Sequence, residues 1–181
     1  MTRPRREAPA APSPTERLAA LTGWHRPRST TTDWTPAERA LGLPVPGSFR
    51  ELAELFGPGE FSRYLFVSGP GDERTAHSLA GASAPWFSPG AADLLHPYPP
   101  PGAPGGLVPW GGTCHGDTFF WLPGPTDPDT WPVLALSEST DWHRFDLTAP
   151  EFVLEAIRPD GTVAPFAVGD LVPPSFLPAR S

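Results

Sequence analysis

The chain has 181 residues, a length that suits one domain of ordinary size. Its hydrophobic residues make up 39% of the chain, which is enough for a packed core and excludes wholesale disorder. The 28 prolines and 18 glycines predict short helices and strands joined by much ordered loop, since neither residue suits element interiors. All 13 basic residues are arginine, a composition typical of GC-rich bacterial genes.

The formal net charge of −7 is unevenly distributed along the chain. Residues 1–30 carry six arginines and two glutamates, a balance of +4. Residues 31–181 carry seven arginines and 18 acids, a balance of −11. An acidic body argues against nucleic acid as a partner and favours a basic protein.

Cysteine usage and hydropathy indicate the compartment. Cys114 is the only cysteine, so no intrachain disulfide can form and an oxidising compartment is not required. No stretch approaches the run of about 18 apolar residues that a membrane span needs. The first residues are basic but continue into proline and glutamate, which is not a secretory signal. We therefore expect a cytoplasmic protein with no membrane partner.

Residues 1–30 are predicted to form a Pro/Arg-rich arm with one short helix. The run Ser13-Pro14-Thr15-Glu16 combines a capping side chain, a first-turn proline and a reciprocal glutamate. Gly23 can end this helix. Leu18 and Leu21 are its only strong apolar anchors, so we expect it to dock weakly.

A domain over residues 31–168 is predicted to begin with two helices. Thr35-Pro36-Ala37-Glu38 repeats the capping-box pattern, and Gly42 lies where that helix should end. The second helix, over 48–56, starts at a Ser48-x-x-Glu51 pattern and has one apolar stripe. A strand is predicted over 61–67.

Residues 68–106 contain weaker signals. They favour a helix over 72–79, a helical turn over 91–95 and a rigid proline-rich connector over 97–106.

The strongest strand pattern lies within residues 107–147. Runs of aromatic and β-branched residues bounded by Gly, Pro and Asp predict strands over 118–122, 133–136 and 142–147. Glycines 111, 112 and 116 are interpreted as turn residues before the first of them. That strand does not alternate with polar residues, so we expect it to be covered on both faces. This meander is predicted to be the core.

The remaining chain predicts a helix from Thr148 to Pro159 and an edge strand over 162–168, where Pro165 lacks an N–H. Residues 169–181 form the C-terminal tail, which we expect to be loose from 173 onward.

The sequence has no specific signature for a thiol enzyme, a metal site, a glycosidase or a sugar-binding face. A thiol enzyme would need Cys114 beside a histidine such as His115, but no nucleophile motif surrounds it. The five histidines are scattered singly, so no metal or other cofactor is predicted. Asp127 and Asp129 lie in a proline-rich loop and suit turns better than a glycosidase pair. The seven tryptophans suit core filling better than sugar stacking. We therefore predict a protein that is not an enzyme.

The order of several short motifs resembles the SUKH superfamily of the Smi/Knr type over roughly residues 30–160. The motifs are Trp34-x-x-x-Glu38-x-x-Leu41-Gly42-Leu43-Pro44, Phe49-Arg50-x-Leu52, Phe56-Gly57, Gly116-Asp117 before Phe119-Phe120-Trp121, Trp131-Pro132-Val133 and Pro150-Glu151-Phe152. This resemblance implies an α+β single domain with a mostly antiparallel mixed sheet and helices packed on it.

The resemblance also implies a non-enzymatic protein-binding module. Bacterial members of the superfamily are commonly immunity proteins that neutralise polymorphic toxins, often nucleases, whereas fungal relatives are regulatory scaffolds. We therefore expect an immunity protein that binds a cognate, basic toxin. The predicted partner-binding residues are Asp117, Asp127, Asp129, Glu138, Asp141 and Trp142.

Two alternatives remain open. The first is a regulatory interaction scaffold of the same fold. The second is an enzyme or carbohydrate-binding module that uses Cys114 and His115 or surface tryptophans.

Overall fold

A computed structural model describes residues 10–29, 31–75 and 77–180, and it has the predicted α+β architecture. Within these residues there are six α-helices: α1 (Pro14–Thr22), α2 (Thr35–Leu41), α3 (Gly47–Phe56), α4 (Leu79–Ser83), α5 (Pro89–Leu94) and α6 (Ala149–Ile157). The strands of the same residues are β1 (Gly59–Phe61), β2 (Leu65–Val67), β3 (Val108–Thr113), β4 (Thr118–Trp121), β5 (Val133–Leu136), β6 (Trp142–Phe145) and β7 (Phe176–Pro178). Short 3-10 helices occupy Ala84–Phe87 and Pro128–Thr130.

The strands form one open sheet in the order β6-β5-β4-β3-β2-β1-β7, with antiparallel pairing throughout the described strands. Consecutive strands from β3 to β6 are neighbours, as expected for the predicted meander. The last strand, β7, pairs with the first strand, β1, at one edge of the sheet.

The larger hydrophobic cluster lies between the sheet and the helices α1, α2, α3 and α6. Side chains alternate along each strand, so Phe119 and Trp121 of β4 enter this cluster while Phe120 points to the other face. The rings of Phe49 and Phe152 pack on Trp110 at the centre of the layer. Helices cover most of this face and the loop residues Val163 and Phe166 add to the cover, so the larger part of the apolar area is buried here.

A smaller cluster covers the opposite face of β4 and β5. Leu95 and Leu107 are completely buried against Phe120 and Leu134, with Trp86 and Tyr98 packed around them. The segment that supplies this cover is 84–107, which sequence patterns left without a clear role. The prediction that β4 is covered on both faces is confirmed.

The helix starts show which capping predictions hold. Capping boxes form at α1, between Ser13 and Glu16, and at α6, between Thr148 and Glu151. The box predicted at Thr35 does not form, because the Glu38 carboxylate instead accepts from the Val45 N–H at 2.9 Å and pairs with Arg50.

Two strand predictions were wrong in detail. The predicted strand over 61–67 is a hairpin, since Ser62 and Arg63 both have positive φ and form a tight turn between β1 and β2. Gly111 and Gly112 lie inside β3 rather than in a turn. There they allow β2 to approach, because a Cβ at either position would collide with Phe66. Pro109 is tolerated in β3 because the register shifts next to it.

Three further predictions were also wrong. The described residues of 72–78 do not form the predicted helix, because the Asp72 carboxylate accepts from the Arg74 N–H and the Thr75 hydroxyl and makes a turn; α4 begins only at Leu79. No strand forms over 162–168, where the Phe166 N–H donates to Val163 O in another turn. The tail is not loose at 176–178, which is β7.

The two anchors predicted for α1 both contact the larger cluster, with Leu18 completely buried and Leu21 partly buried. None of the helices in the described part of the chain is long and apolar enough to cross a membrane.

Candidate functional site

One end of the sheet gathers the turns that connect its strands in pairs. The β1–β2 turn (62–64), the β3–β4 turn (114–117) and the β5–β6 turn (137–141) all lie there, because the strands alternate in direction. The loop residues Pro165 and Phe166 border the same end. We call this surface the turn end.

Asp117 joins two of these turns. Its Oδ2 accepts from the Thr113 hydroxyl, and its Oδ1 accepts from the Glu138 N–H at 3.0 Å. The carboxylate therefore locks the β3–β4 turn to the β5–β6 turn. The two hydrogen bonds fix the position of the Asp117 carboxylate and stabilise its negative charge.

The β5–β6 turn has its own hydrogen bonds. The Ser137 N–H donates to Asp141 O at 2.9 Å, and the Asp141 N–H donates to Ser137 Oγ at 3.0 Å. Thr140 has a positive φ of 69°, an unusual conformation for a β-branched residue. The side chain of Glu138 projects from this rigid turn and is exposed.

Tyr64 lies under the acidic groups. It is only 8% exposed, and its ring meets the His115 ring edge-to-face at 5.5 Å. Burial, followed by the negative charges of Asp117 and Cys114, raises the pKa of Tyr64 to about 12. Of these causes, the negative charge of Asp117 would also favour a nearby cation, whereas burial disfavours a charge of either sign.

The turn end also contains a concave pocket of about 520 Å³. It is lined by Tyr64, His115, Asp117, Ser137, Glu138, Ser139, Pro165 and Phe166. Aromatic rings, hydroxyl groups and carboxylates therefore converge on one depression.

The predicted partner-binding residues are divided between the two ends of the sheet. Asp117, Glu138 and Asp141 come together at the turn end. Asp127 and Asp129 lie at the opposite end, in the β4–β5 connection. Sequence patterns could not pair these acids, because only strand pairing decides which connections share an end.

Asp127 and Asp129 have structural contacts. Asp127 Oδ1 accepts from the Asp129 N–H at 3.0 Å and caps the 3-10 helix Pro128–Thr130. Asp129 Oδ1 accepts from the Ser48 N–H at 2.8 Å, so it caps α3 from a distant part of the chain. These contacts give both carboxylates a role in the fold.

The backbone of Trp142, the first residue of β6, lies at the turn end, but its side chain packs on the smaller cluster. Its indole N–H donates to His96 O at 3.1 Å, and its ring meets Tyr98 at 4.8 Å. The side chain thus fastens β6 to the covering segment.

The thiol-enzyme alternative would need a connected set of groups. Cys114 is exposed, and its N–H donates to Tyr64 O at 2.9 Å. Among the residues described, no hydrogen bond joins the side chains of Cys114, His115 and Asp117, and the two bonds of the Asp117 carboxylate go to Thr113 and Glu138. Nor do three His, Cys, Asp or Glu side chains of these residues converge as metal ligands.

The carbohydrate alternative would need exposed tryptophan faces. Trp34, Trp110, Trp121 and Trp131 are buried in the larger cluster. The other three, at 24, 86 and 142, pack against one of the two clusters.

Sequence reasoning missed Tyr64, Pro165 and Phe166 as parts of the site. Tyr64 lies inside the single strand predicted over 61–67, so the turn that contains it was not predicted. Pro165 and Phe166 were assigned to an edge strand. Comparison with known proteins adds no relative, since no protein-family model, curated protein or solved structure matches the chain.

Proposed function

We propose that the chain is a protein-binding module that docks a basic partner on its turn end. The observation that carries the proposal is the joining of Asp117, Glu138 and Asp141 on adjacent rigid turns, beside a pocket with aromatic and carboxylate groups. Because the hydrogen-bonded turns fix the backbone of all three acids, less conformational entropy is lost on binding, and the negative charge speeds association with a basic surface.

The partner we propose is a bacterial toxin domain, which makes the chain a cytoplasmic immunity protein. The balance of −11 over residues 31–181 suits a toxin with a basic face, such as a nuclease that must bind nucleic acid. Covering that face would block the toxin without any catalysis by the immunity protein. The resemblance to the SUKH superfamily supports this choice.

The test is capture of the partner from the native host, or co-expression with the product of the adjacent upstream gene. A toxin domain that binds tightly, and whose affinity falls as salt rises, would support the proposal. Co-expression should also protect a heterologous bacterium from the toxin.

Two charge reversals locate the surface. Glu138→Lys at the turn end should weaken binding about tenfold or more, because it places a cation against a basic face. Asp146→Lys makes the same charge change on an exposed residue beyond the other end of β6 and should leave affinity nearly unchanged. Equal effects of the two variants would refute docking at the turn end.

A stable partner without toxicity would favour the regulatory scaffold instead.

A further inference from the structure

The turn-end pocket is more than a group of acids. Its aromatic floor consists of Tyr64, which is 8% exposed, and the exposed ring of His115, whereas Phe166 is 1% exposed and offers almost no ring surface. The carboxylates of Asp117 and Glu138 stand at its wall, with the hydroxyls of Ser137 and Ser139 beside them. None of the residues that line it is an arginine.

The carboxylates of Asp117 and Glu138 both have acceptor positions that no hydrogen bond of the described residues uses. A carboxylate has about four acceptor positions. Asp117 uses its two oxygens once each, for the Thr113 hydroxyl and the Glu138 N–H. The carboxylate of Glu138 accepts no hydrogen bond within the described residues. One acid is therefore held rigidly and the other remains available beside it.

The electrostatic character of the pocket favours a cation. The pKa of Tyr64 is raised to about 12 by burial and then by the charges of Asp117 and Cys114. Burial disfavours a charge of either sign, so the carboxylates of Asp117 and Glu138 are what make the pocket favourable for a positive group.

We propose that this pocket receives the guanidinium group of an arginine side chain from the partner. The inference rests on the proposed function, in which a basic protein docks on the turn end. A guanidinium is planar, can lie against aromatic rings and can bond a carboxylate through two N–H groups at once. A lysine ammonium is a compact, strongly hydrated charge that uses the aromatic floor less well. The pocket is thus a specificity element for arginine within the acidic surface.

The test uses N-acetyl-L-arginine amide and N-acetyl-L-lysine amide as probes against the full chain. Backbone amide shifts are followed by two-dimensional NMR at physiological ionic strength. The arginine probe should shift the amides of Tyr64, His115 and Ser139 and should bind about fivefold or more tightly than the lysine probe.

Glu138→Gln removes one charge without changing side-chain size. Because Glu138 is exposed, the variant should fold, and its affinity for the arginine probe should fall about five- to tenfold. The matched control, Asp146→Asn, removes one charge away from the pocket and should leave that affinity unchanged. A Tyr64→Phe variant keeps the ring and should retain most of the binding.

Three results would overturn the inference: equal affinity for the two probes, equal effects of Glu138→Gln and Asp146→Asn, or no shifts at tens of millimolar probe. These failures are distinct from failure of the proposed function. A basic partner sensitive to Glu138→Lys would still establish docking at the turn end without an arginine pocket. Conversely, selective binding of the arginine probe with no basic partner would keep the pocket and refute the docking role.

Discussion

Single acidic side chains in this protein join segments that lie far apart in the chain. Glu54 accepts from Arg28 at 2.6 Å and from the Trp34 indole at 3.1 Å. Glu38 holds Val45 and Arg50, and Asp129 caps α3. The acidity of residues 31–181 therefore has two origins. Some carboxylates hold the fold together, while Glu138 and its neighbours form a surface.

Asp129→Ala should destabilise the protein by about 1–2 kcal/mol. The change removes the acceptor for the Ser48 N–H and a negative charge at the positive end of α3. Urea unfolding followed by tryptophan fluorescence measures the loss. The matched control is Asp146→Ala, whose exposed ion pair with Arg144 should contribute less than about 0.5 kcal/mol. An equal loss in both variants would contradict the capping role.

Tyr64 should make stability depend on alkaline pH. Its pKa is about 12 in the folded protein and about 10 when unfolded, so the folded form retains a proton that the unfolded form releases. The stability contributed by Tyr64 is therefore complete below about pH 10 and is lost as the pH rises to about 12. Urea midpoints at about pH 9 and about pH 11 should fall more in the wild type than in Tyr64→Phe. The same decline in both proteins would show that Tyr64 is not the responsible group.

At the scale of elements, the two ends of the domain are held together by one aromatic contact group. Phe176 of β7 packs its ring on Trp24, Phe56 and Phe61 at centroid distances of 4.8–4.9 Å. Trp24 follows α1, Phe56 ends α3 and Phe61 ends β1. The three-residue strand β7 is therefore fixed mainly by one side chain, since isolated short strands are unstable.

Replacement of neighbouring residues in β7 should separate packing from strand pairing. Phe176→Ala should cost about 2–4 kcal/mol, because it leaves a cavity among three rings. Leu177→Ala changes the next residue, which is 52% exposed on the other face, and should cost less than about 1 kcal/mol. Thermal and urea unfolding give both values. Similar losses for the two variants would mean that β7 is held by its backbone pairing instead.

At the scale of the whole molecule, the sheet separates two hydrophobic clusters of unequal size. Among the described residues, the larger is covered by helices from both halves of the chain, whereas the smaller is covered by segment 84–107. Segment 84–107 consists mainly of turns and short helices. It therefore has few of the backbone hydrogen bonds that stabilise longer helices and strands. Such segments open without global unfolding when their buried contacts are few.

Native-state hydrogen exchange should therefore show two levels of protection. The amides of Tyr98 and Leu107, which bond to Leu95 O and Pro99 O, should exchange with a lower opening free energy than those of Phe119 and Ala135. Tyr98→Ala should speed exchange within 95–107 and leave that of the central strands nearly unchanged. Exchange of all four amides at the global free energy would contradict independent opening.

Local features of the fold were predictable because their causes are local. The capping boxes at Ser13 and Thr148 need only residues three positions apart, and the apolar run of β4 shows by itself that both of its faces are covered. The α+β class was expected from what the resemblance implies, and the structure has it. The acidic character of the body and the presence of Asp117 and Glu138 in turns were also readable from the chain.

Features that depend on distant partners were decided only by the tertiary structure. Gly111 and Gly112 resemble turn residues, but pairing with β2 on one side and β4 on the other makes them part of a central strand. In the sequence, Asp129 looks like an ordinary surface residue. Its capping role appears only in the tertiary structure, where the Ser48 N–H of α3 donates to it. The turn end likewise exists only once strand directions bring Tyr64, Asp117, Glu138 and Phe166 together. Sequence patterns report the residues next to each position, whereas strand order and helix placement depend on long-range packing, and that packing assembled the candidate site.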